Sequence, residues 1–114
     1  KNIPIFQLSS SIRARDIKVQ TVTPGSVSVA WEPPLEPNGK IKTYTIYYTD
    51  SLEVSDELWI HVTKNGTEHS AMITISDSQG QLYYFKLRAS TAKGPGLVTR
   101  AYTVDPSRTL TTSN

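Results

Sequence analysis

Hydrophobic and polar residues alternate along much of this chain with a period of two. The clearest examples are residues 27–31 and 82–90, in which every second side chain is aliphatic or aromatic. This alternation predicts half-buried β-strands, because successive side chains of a strand point to opposite faces of the sheet. Similar stretches predict seven strands in all, over residues 16–20, 27–31, 41–48, 58–62, 68–75, 82–90 and 98–104.

Turn-forming sequences separate these strands at short intervals. They are Pro24-Gly25, Pro37-Asn38-Gly39, Asn65-Gly66 and Gly94-Pro95-Gly96. Of these, Asn65-Gly66 is expected to close a hairpin. Glycine and asparagine adopt the positive φ angles of tight turns, and proline cannot donate to a central strand ladder. Hydrophobic residues do not recur at helical spacing over any ten residues. The sequence therefore predicts an all-β fold, a seven-stranded antiparallel two-sheet sandwich.

The chain of 114 residues has the length of one domain. We expect a linker or arm over residues 1–13, the folded domain over 14–106 and a polar tail over 107–114. Ile5, Phe6 and Leu8 are too apolar for a fully solvated arm. They are expected to pack either on a neighbouring domain or on the edge of this one.

Composition excludes several classes of function. A net charge of +2 is too small to indicate a nucleic-acid partner. The absence of cysteine excludes disulfides and thiolate metal sites. No apolar run reaches the length of a membrane span, so the domain is not expected to be membrane-embedded. We also expect the domain to be monomeric in isolation. No signal peptide is visible, which is typical of a module taken from a longer protein.

Candidate catalytic and metal-binding residues are few. His61 and His69 flank the Asn65-Gly66 turn but lack a third ligand at a recognisable spacing. The acidic residues 53–57 fit a solvated loop better than a calcium loop. No nucleophile elbow or phosphate-binding loop is present. We therefore expect no catalytic residues, no metal and no cofactor.

Three groups of residues resemble a known family in their order and spacing. They are Trp31 with Pro33-Pro34, the run 44–48, and Tyr83-x-Phe85-x-Leu87-x-Ala89 followed by Gly94-x-Gly96. Together they resemble the fibronectin type III domain, an immunoglobulin-like sandwich, over residues 15–104. The resemblance implies that Trp31 fills the core and that Tyr83 is the corner tyrosine. Two positions depart from the family pattern, because no Leu-x-Pro turn precedes Tyr83 and Thr91 replaces a common asparagine.

Within the family, residues 37–48 are most similar to the neuronal netrin-receptor group that contains neogenin. Adhesion molecules and receptor phosphatases carry similar modules. The resemblance implies the extracellular part of a cell-surface membrane protein that acts in axon guidance or adhesion. Two functions remain open: a module that binds an extracellular protein, or a spacer that sets the distance and orientation of neighbouring domains.

The outward faces of two strands carry the candidate binding residues. Tyr84, Lys86 and Arg88 alternate on one strand, Tyr47 lies on its expected neighbour, and Lys42 lies near the start of that neighbour. Tyrosines beside cations indicate a surface for a protein partner or for heparan sulfate, although a solvated sheet face has the same pattern.

A second candidate site is a position for covalent modification. Asn65-Gly66-Thr67 has the acceptor sequence for N-glycosylation. Because the turn is expected on the surface, Asn65 is predicted to carry a glycan in an extracellular protein.

Overall fold

Two antiparallel β-sheets make up the part of the chain described by the computed structural model, residues 13–35, 39–75 and 80–108. One sheet has three strands in the order β1-β2-β5, and the other has the order β4-β3-β6-β7 with β8 also paired to β6. The strands are β1 Arg15–Thr23, β2 Ser26–Glu32, β3 Ile41–Thr49, β4 Ile60–Asn65, β5 Ser70–Thr74, β6 Tyr83–Thr91, β7 Gly94–Val98 and β8 Tyr102–Val104. A short 3₁₀ helix, Asp56–Leu58, precedes β4. The predicted antiparallel two-sheet sandwich is confirmed.

Aromatic side chains fill the space between the sheets. Trp31 is buried and packs against Tyr44 across the sandwich, with ring centroids 5.2 Å apart. Phe85 stacks on Tyr48 at 5.4 Å. A fully buried ring removes some 150–250 Å² from water, so Trp31, Tyr44 and Phe85 account for a large part of the hydrophobic stabilisation, and the half-buried Tyr48 adds less.

Two polar atoms of this core lack a hydrogen-bond partner among the described residues: Nε1 of Trp31 and the hydroxyl of Tyr44. Burial, with a smaller contribution from the Glu32 carboxylate, raises the pKa of the Tyr44 hydroxyl. A buried hydroxyl without a partner costs free energy, so the packing of the Tyr44 ring must offset this cost.

The last strand differs from the prediction. A single strand was expected over residues 98–104, but β7 and β8 are separate segments that both pair with β6. Thr99 is buried between them, and its N–H donates to the Leu87 carbonyl at 2.9 Å. The Thr99 hydroxyl accepts from the Leu87 N–H at 3.1 Å, in place of a backbone carbonyl. This exchange interrupts the ladder and gives eight strands within the described residues instead of seven.

The Asn65-Gly66 turn was predicted to close a hairpin, and this prediction is wrong. The turn instead carries the chain from one sheet to the other. β4 belongs to the five-stranded sheet and β5 to the three-stranded sheet. The Gly66 N–H donates to the Lys42 carbonyl at 2.8 Å, which holds the turn against the start of β3. A consequence is that His61 and His69 do not lie opposite each other in one hairpin.

The chain leaves the sandwich through a fixed segment, residues 105–107. The Thr21 hydroxyl donates to the Asp105 carbonyl at 2.8 Å, and the Gly25 N–H donates to the Pro106 carbonyl at 2.8 Å. Pro106 is fully buried. The Ser107 hydroxyl and N–H both donate to the Asp105 carboxylate, at 2.6 and 3.0 Å. These bonds, with the hydroxyl contributing most, hold the pKa of the Asp105 carboxyl below its ordinary value.

Several sequence predictions fall outside the described residues. They concern the apolar positions Ile5, Phe6 and Leu8 of the expected arm, residues 76–79 of the turn that precedes Tyr83, and most of the polar tail. Tyr83 itself is half-buried and packs against the core.

Candidate functional site

The outward face of the five-stranded sheet carries the predicted binding residues in two adjacent rows. In the first row His61, Tyr47 and Lys86 lie opposite one another on β4, β3 and β6. In the second row, Arg88 of β6 lies opposite Thr45 of β3 and Val98 of β7. The alternating residues of β3 and β6 are buried in the core, so strand geometry alone turns Tyr47, Lys86 and Arg88 outward.

A segment from outside the sheet covers the end of these rows. The 3₁₀ helix Asp56–Leu58 leads into Trp59, which is only 3% exposed. The Trp59 indole N–H donates to the Val54 carbonyl at 3.0 Å, so its one polar atom is satisfied and the ring is held in place. The alternation had assigned Trp59 to a strand. In the structure Trp59 precedes β4, which begins one residue later, and its fixed ring forms one side of this face.

Lys86 is engaged by this segment on two sides. Its Nζ lies 3.0 Å from the Asp56 carboxylate and 4.7 Å from the centroid of the Trp59 ring. The Lys86 side chain is 20% exposed, whereas that of Asp56 is 62% exposed. Such a pair contributes little to stability, but it neutralises the lysine and fixes its position.

Arg88 is held differently, by an aromatic ring and without an acidic partner among the described residues. Its guanidinium carbon lies 5.8 Å from the centroid of the Tyr47 ring, and that ring lies 6.1 Å from the imidazole of His61. Nε of Arg88 is buried and has no hydrogen-bond partner in the described part of the chain. Because Nε is covered, an incoming acceptor would meet the terminal nitrogens of this half-buried side chain.

Together these side chains surround a hollow of about 320 Å³, which we term the aromatic–basic hollow. Both signs of charge line it, together with aromatic and apolar surface; the lining residues are Tyr47, Asp56, Glu57, Trp59, Lys86, Arg88 and Val98. Tryptophan, tyrosine and arginine are the residue types that contribute most to protein–protein interfaces. Mixed charge of this kind suits a specific protein contact better than a uniformly anionic polymer.

The structure brings together only part of the predicted set. Tyr47, Lys86 and Arg88 line the hollow. Tyr84 is half-buried on the same face of β6, opposite Thr49 and Thr103, and is not one of the lining residues. Lys42 is exposed at the far end of β3 and lines a different hollow. Five residues of strand separate Lys42 from Tyr47, which is about 16 Å.

The sequence reasoning missed Asp56 and Trp59, because a strand pattern contains no information about which loop folds over its face. One available signal was the tryptophan itself. A large side chain with a single polar atom, next to acidic residues, needs both an apolar cover and an acceptor for its N–H.

Asn65 lies exposed at the end of β4, on the same side of the sheet as His61. Its side-chain oxygen accepts hydrogen bonds from the N–H and the hydroxyl of Thr67, both at 3.0 Å. The asparagine side chain is thus on the surface, with the hydroxyl of its acceptor sequence beside it.

Two features are absent from the described residues, a cluster of metal-ligating side chains and a long apolar helix. No group of three or more histidine, aspartate or glutamate side chains lies close enough together there to hold a metal ion. None of the helices in that part of the chain is long and apolar enough to cross a membrane.

A three-stranded sheet packed on a larger antiparallel sheet around a central tryptophan defines an immunoglobulin-like sandwich. A family model described as "Fibronectin type III domain" matches residues 11–105, and the chain belongs to this family. The family is a non-catalytic module, and the resemblance drawn from the sequence is confirmed.

Two receptors are among the similar proteins. The netrin receptor DCC of Rattus norvegicus is 40% identical over 73 residues, which is 64% of this chain and 5% of that protein. Neogenin of Rattus norvegicus is 32% identical over 100 residues, which is 84% of this chain and 7% of that protein. The predicted likeness to the netrin-receptor group is therefore confirmed, and the chain spans only a small fraction of these relatives.

A solved structure supports the fold. The chicken CNTN1 FN1-FN3 domains superpose with a TM-score of 0.70 at 18% identity, over 83% of this chain and 32% of that one. At this identity the likeness concerns the fold alone.

Proposed function

We propose that this domain is an extracellular protein-binding module of a cell-surface guidance or adhesion receptor. The observation that carries the proposal is the aromatic–basic hollow, in which residues of three strands and a covering segment converge. The receptor setting is supported by the similarity to the netrin receptor DCC and to neogenin.

The contacts around the hollow define what a partner must supply. Lys86 already has Asp56 and the Trp59 ring as partners, so Arg88 is the cation available to an incoming group. A carboxylate or carbonyl oxygen of the partner would accept from the terminal nitrogens of Arg88, while an apolar side chain would pack beside the half-buried Tyr47 ring. The side chains are held in place before binding, which lowers the entropy cost of forming the interface.

The test measures the affinity of the 114-residue chain for a netrin by surface plasmon resonance, because a netrin is the ligand named for one relative. We expect Arg88→Ala and Tyr47→Ala each to weaken binding by about tenfold or more, as anchor residues do. Lys18→Ala, an exposed change on β1 of the other sheet, serves as the control and should leave affinity unchanged.

Thermal unfolding of each variant separates lost binding from lost folding. No binding by the parent chain would overturn the netrin assignment. Equal affinity in the parent chain and the two hollow variants would overturn the site.

The alternative function is a spacer that fixes the orientation of a following domain. It is favoured by the exit segment, where Thr21 and Gly25 hold residues 105 and 106 in place. A two-domain protein that continues through this exit should sample a wider range of interdomain angles when Thr21 is changed to valine. Small-angle scattering measures that range, and an unchanged distribution would argue against the spacer role.

A further inference from the structure

The Asp56 carboxylate occupies a position in the aromatic–basic hollow that would suit a carboxylate of a partner equally well. It lies 3.0 Å from the Lys86 ammonium group, and it belongs to the segment that covers the sheet from outside. The Asp56 side chain is 62% exposed, whereas that of Lys86 is 20% exposed. Asp56 is therefore the more accessible member of the pair, and it stands between Lys86 and the solvent.

Hydrogen bonds of the backbone hold the segment that carries Asp56. The Trp59 N–H donates to the Asp56 carbonyl at 3.1 Å, and the Trp59 indole N–H donates to the Val54 carbonyl at 3.0 Å. A preformed turn thus presents the Asp56 carboxylate to Lys86. None of these bonds involves the carboxylate itself, so the side chain can rotate into water without disturbing the turn.

The pair between Asp56 and Lys86 is weak enough to be exchanged. An ion pair with an exposed member changes an equilibrium constant by no more than about fivefold. After separation, water would hydrate the exposed Asp56 carboxylate at little cost. The Lys86 ammonium group is half-buried beside the Trp59 ring and would still require an anion. A carboxylate of the partner can supply that anion, so it competes directly with Asp56.

Arg88 offers a second position for a carboxylate, two residues further along β6. No ion pair within the described residues involves Arg88, and its buried Nε has no acceptor there. Alternate residues of a strand lie about 7 Å apart on one face, so Lys86 and Arg88 match two carboxylates with this spacing. An extended peptide with acidic residues at positions i and i+2 has the same spacing on one of its own faces.

We propose that the aromatic–basic hollow binds an extended acidic segment of a protein partner and that Asp56 is an internal competitor for Lys86. The inference rests on the proposed function, because it concerns the same site. One carboxylate of the segment binds Arg88 directly, and the second displaces Asp56 to reach Lys86. Asp56 thereby keeps Lys86 from attracting single acidic groups, which reserves the hollow for partners that supply both carboxylates.

NMR titrations of the 114-residue chain with three pentapeptides, each with acetylated and amidated ends, test this competition. The two-acid peptide is Thr-Glu-Val-Glu-Thr. Thr-Glu-Glu-Val-Thr has the same charge with its acids on opposite faces, and Thr-Glu-Val-Gln-Thr has one acid. Asp56→Asn should tighten binding of the two-acid peptide about fivefold, the upper value for an exposed ion pair. It should change the affinity for the other two peptides by less than about twofold.

Two matched variants identify the cause of the gain. Glu53→Gln removes the same charge from an exposed position just before the covering segment, outside the hollow, and should leave all three affinities unchanged. In a Lys86→Gln background, Asp56→Asn should no longer tighten binding, because the cation for which the carboxylates compete is absent. An equal gain for all three peptides, the same gain in Glu53→Gln, or a gain that persists without Lys86 would overturn the proposal. Failure of the two-acid peptide to bind, or an affinity that Asp56→Asn does not change, would overturn it as well.

The result is distinguishable from that of the netrin experiment. Netrin binding that weakens in Arg88→Ala, together with no effect of Asp56→Asn on the two-acid peptide, would refute the competition and leave the binding module in place. A parent chain that binds no netrin but gains affinity for the two-acid peptide in Asp56→Asn would refute the netrin assignment and support the acidic segment. A gain of affinity cannot arise from loss of folding, so the expected result requires an intact sandwich.

Discussion

Replacing Gly66 by alanine tests the crossing between the two sheets most severely. An added Cβ would lie 2.0 Å from the Ile41 carbonyl oxygen and 2.7 Å from its carbon, both of them backbone atoms that cannot rotate away. The turn would have to move outward, which stretches the 2.8 Å hydrogen bond from the Gly66 N–H to the Lys42 carbonyl. Overpacking costs about 1–3 kcal/mol and a lost hydrogen bond about 1 kcal/mol, so we expect a destabilisation of roughly 2–4 kcal/mol.

Urea unfolding followed by tryptophan fluorescence measures this difference, with a thermal scan as a second observable. For a domain of this size the melting temperature should fall by roughly 10–20 °C. Gly80→Ala is the matched control: its φ of +83° is strained for alanine, but beyond its chain neighbours no atom of the described residues lies within 4 Å of the added carbon. That control should cost only about 1 kcal/mol. A Gly66→Ala protein within about 1 kcal/mol of the parent would refute the packing described for this turn.

Three further outcomes are expected. Tyr44→Phe should leave stability unchanged or raise it by up to about 1 kcal/mol in urea unfolding, because it removes a buried hydroxyl that has no partner among the described residues; a clear loss would reveal a hydrogen bond to that hydroxyl. The lowered pKa of Asp105 contributes stability above its unfolded value of 3.8, and this contribution is lost as the pH falls through the lower folded value. Ser107→Ala should therefore flatten the stability profile below about pH 5, and identical acid profiles would count against the Ser107 contacts. We propose that Asn65 carries an N-glycan in secreted protein, so glycosidase treatment should lower the mass of the parent chain and not that of Asn65→Gln.

The parts of the fold that depend on local alternation were accessible from the sequence. Residues 27–31 and 82–90 alternate so regularly that their inward faces could be assigned directly, and the buried Trp31 and Phe85 follow from that pattern. Which sheet the strand after a turn joins does not depend on the sequence of the turn alone. An Asn-Gly sequence has the same conformational preference whether the next strand joins its own sheet or the opposite one, so the crossing after β4 was not predictable.

The candidate site also has a part that the sequence could predict and a part that it could not. Tyr47, Lys86 and Arg88 share one face because side chains alternate along each strand and because β3 pairs with β6. The alternation and the pairing could both be expected from the sequence. Asp56 and Trp59 reach the site through a long-range contact across 30 residues, from Asp56 to Lys86. A shift of register between Ile41 and Thr43 interrupts the pairing at the start of β3, where Lys42 lies. Position along a strand was therefore a poor guide to the neighbours of Lys42.

The measurement that tests the central claim most directly is a heteronuclear NMR titration of the labelled chain with a netrin. The chain contains two tryptophans, which give two indole N–H signals. Trp59 lines the aromatic–basic hollow, whereas Trp31 is buried in the core. If the hollow is the binding site, the Trp59 indole signal and the amides of Tyr47, Lys86 and Arg88 should shift on binding, while the Trp31 indole signal stays in place. Binding that leaves the Trp59 signal unmoved, with shifts confined to the three-stranded sheet, would contradict the account.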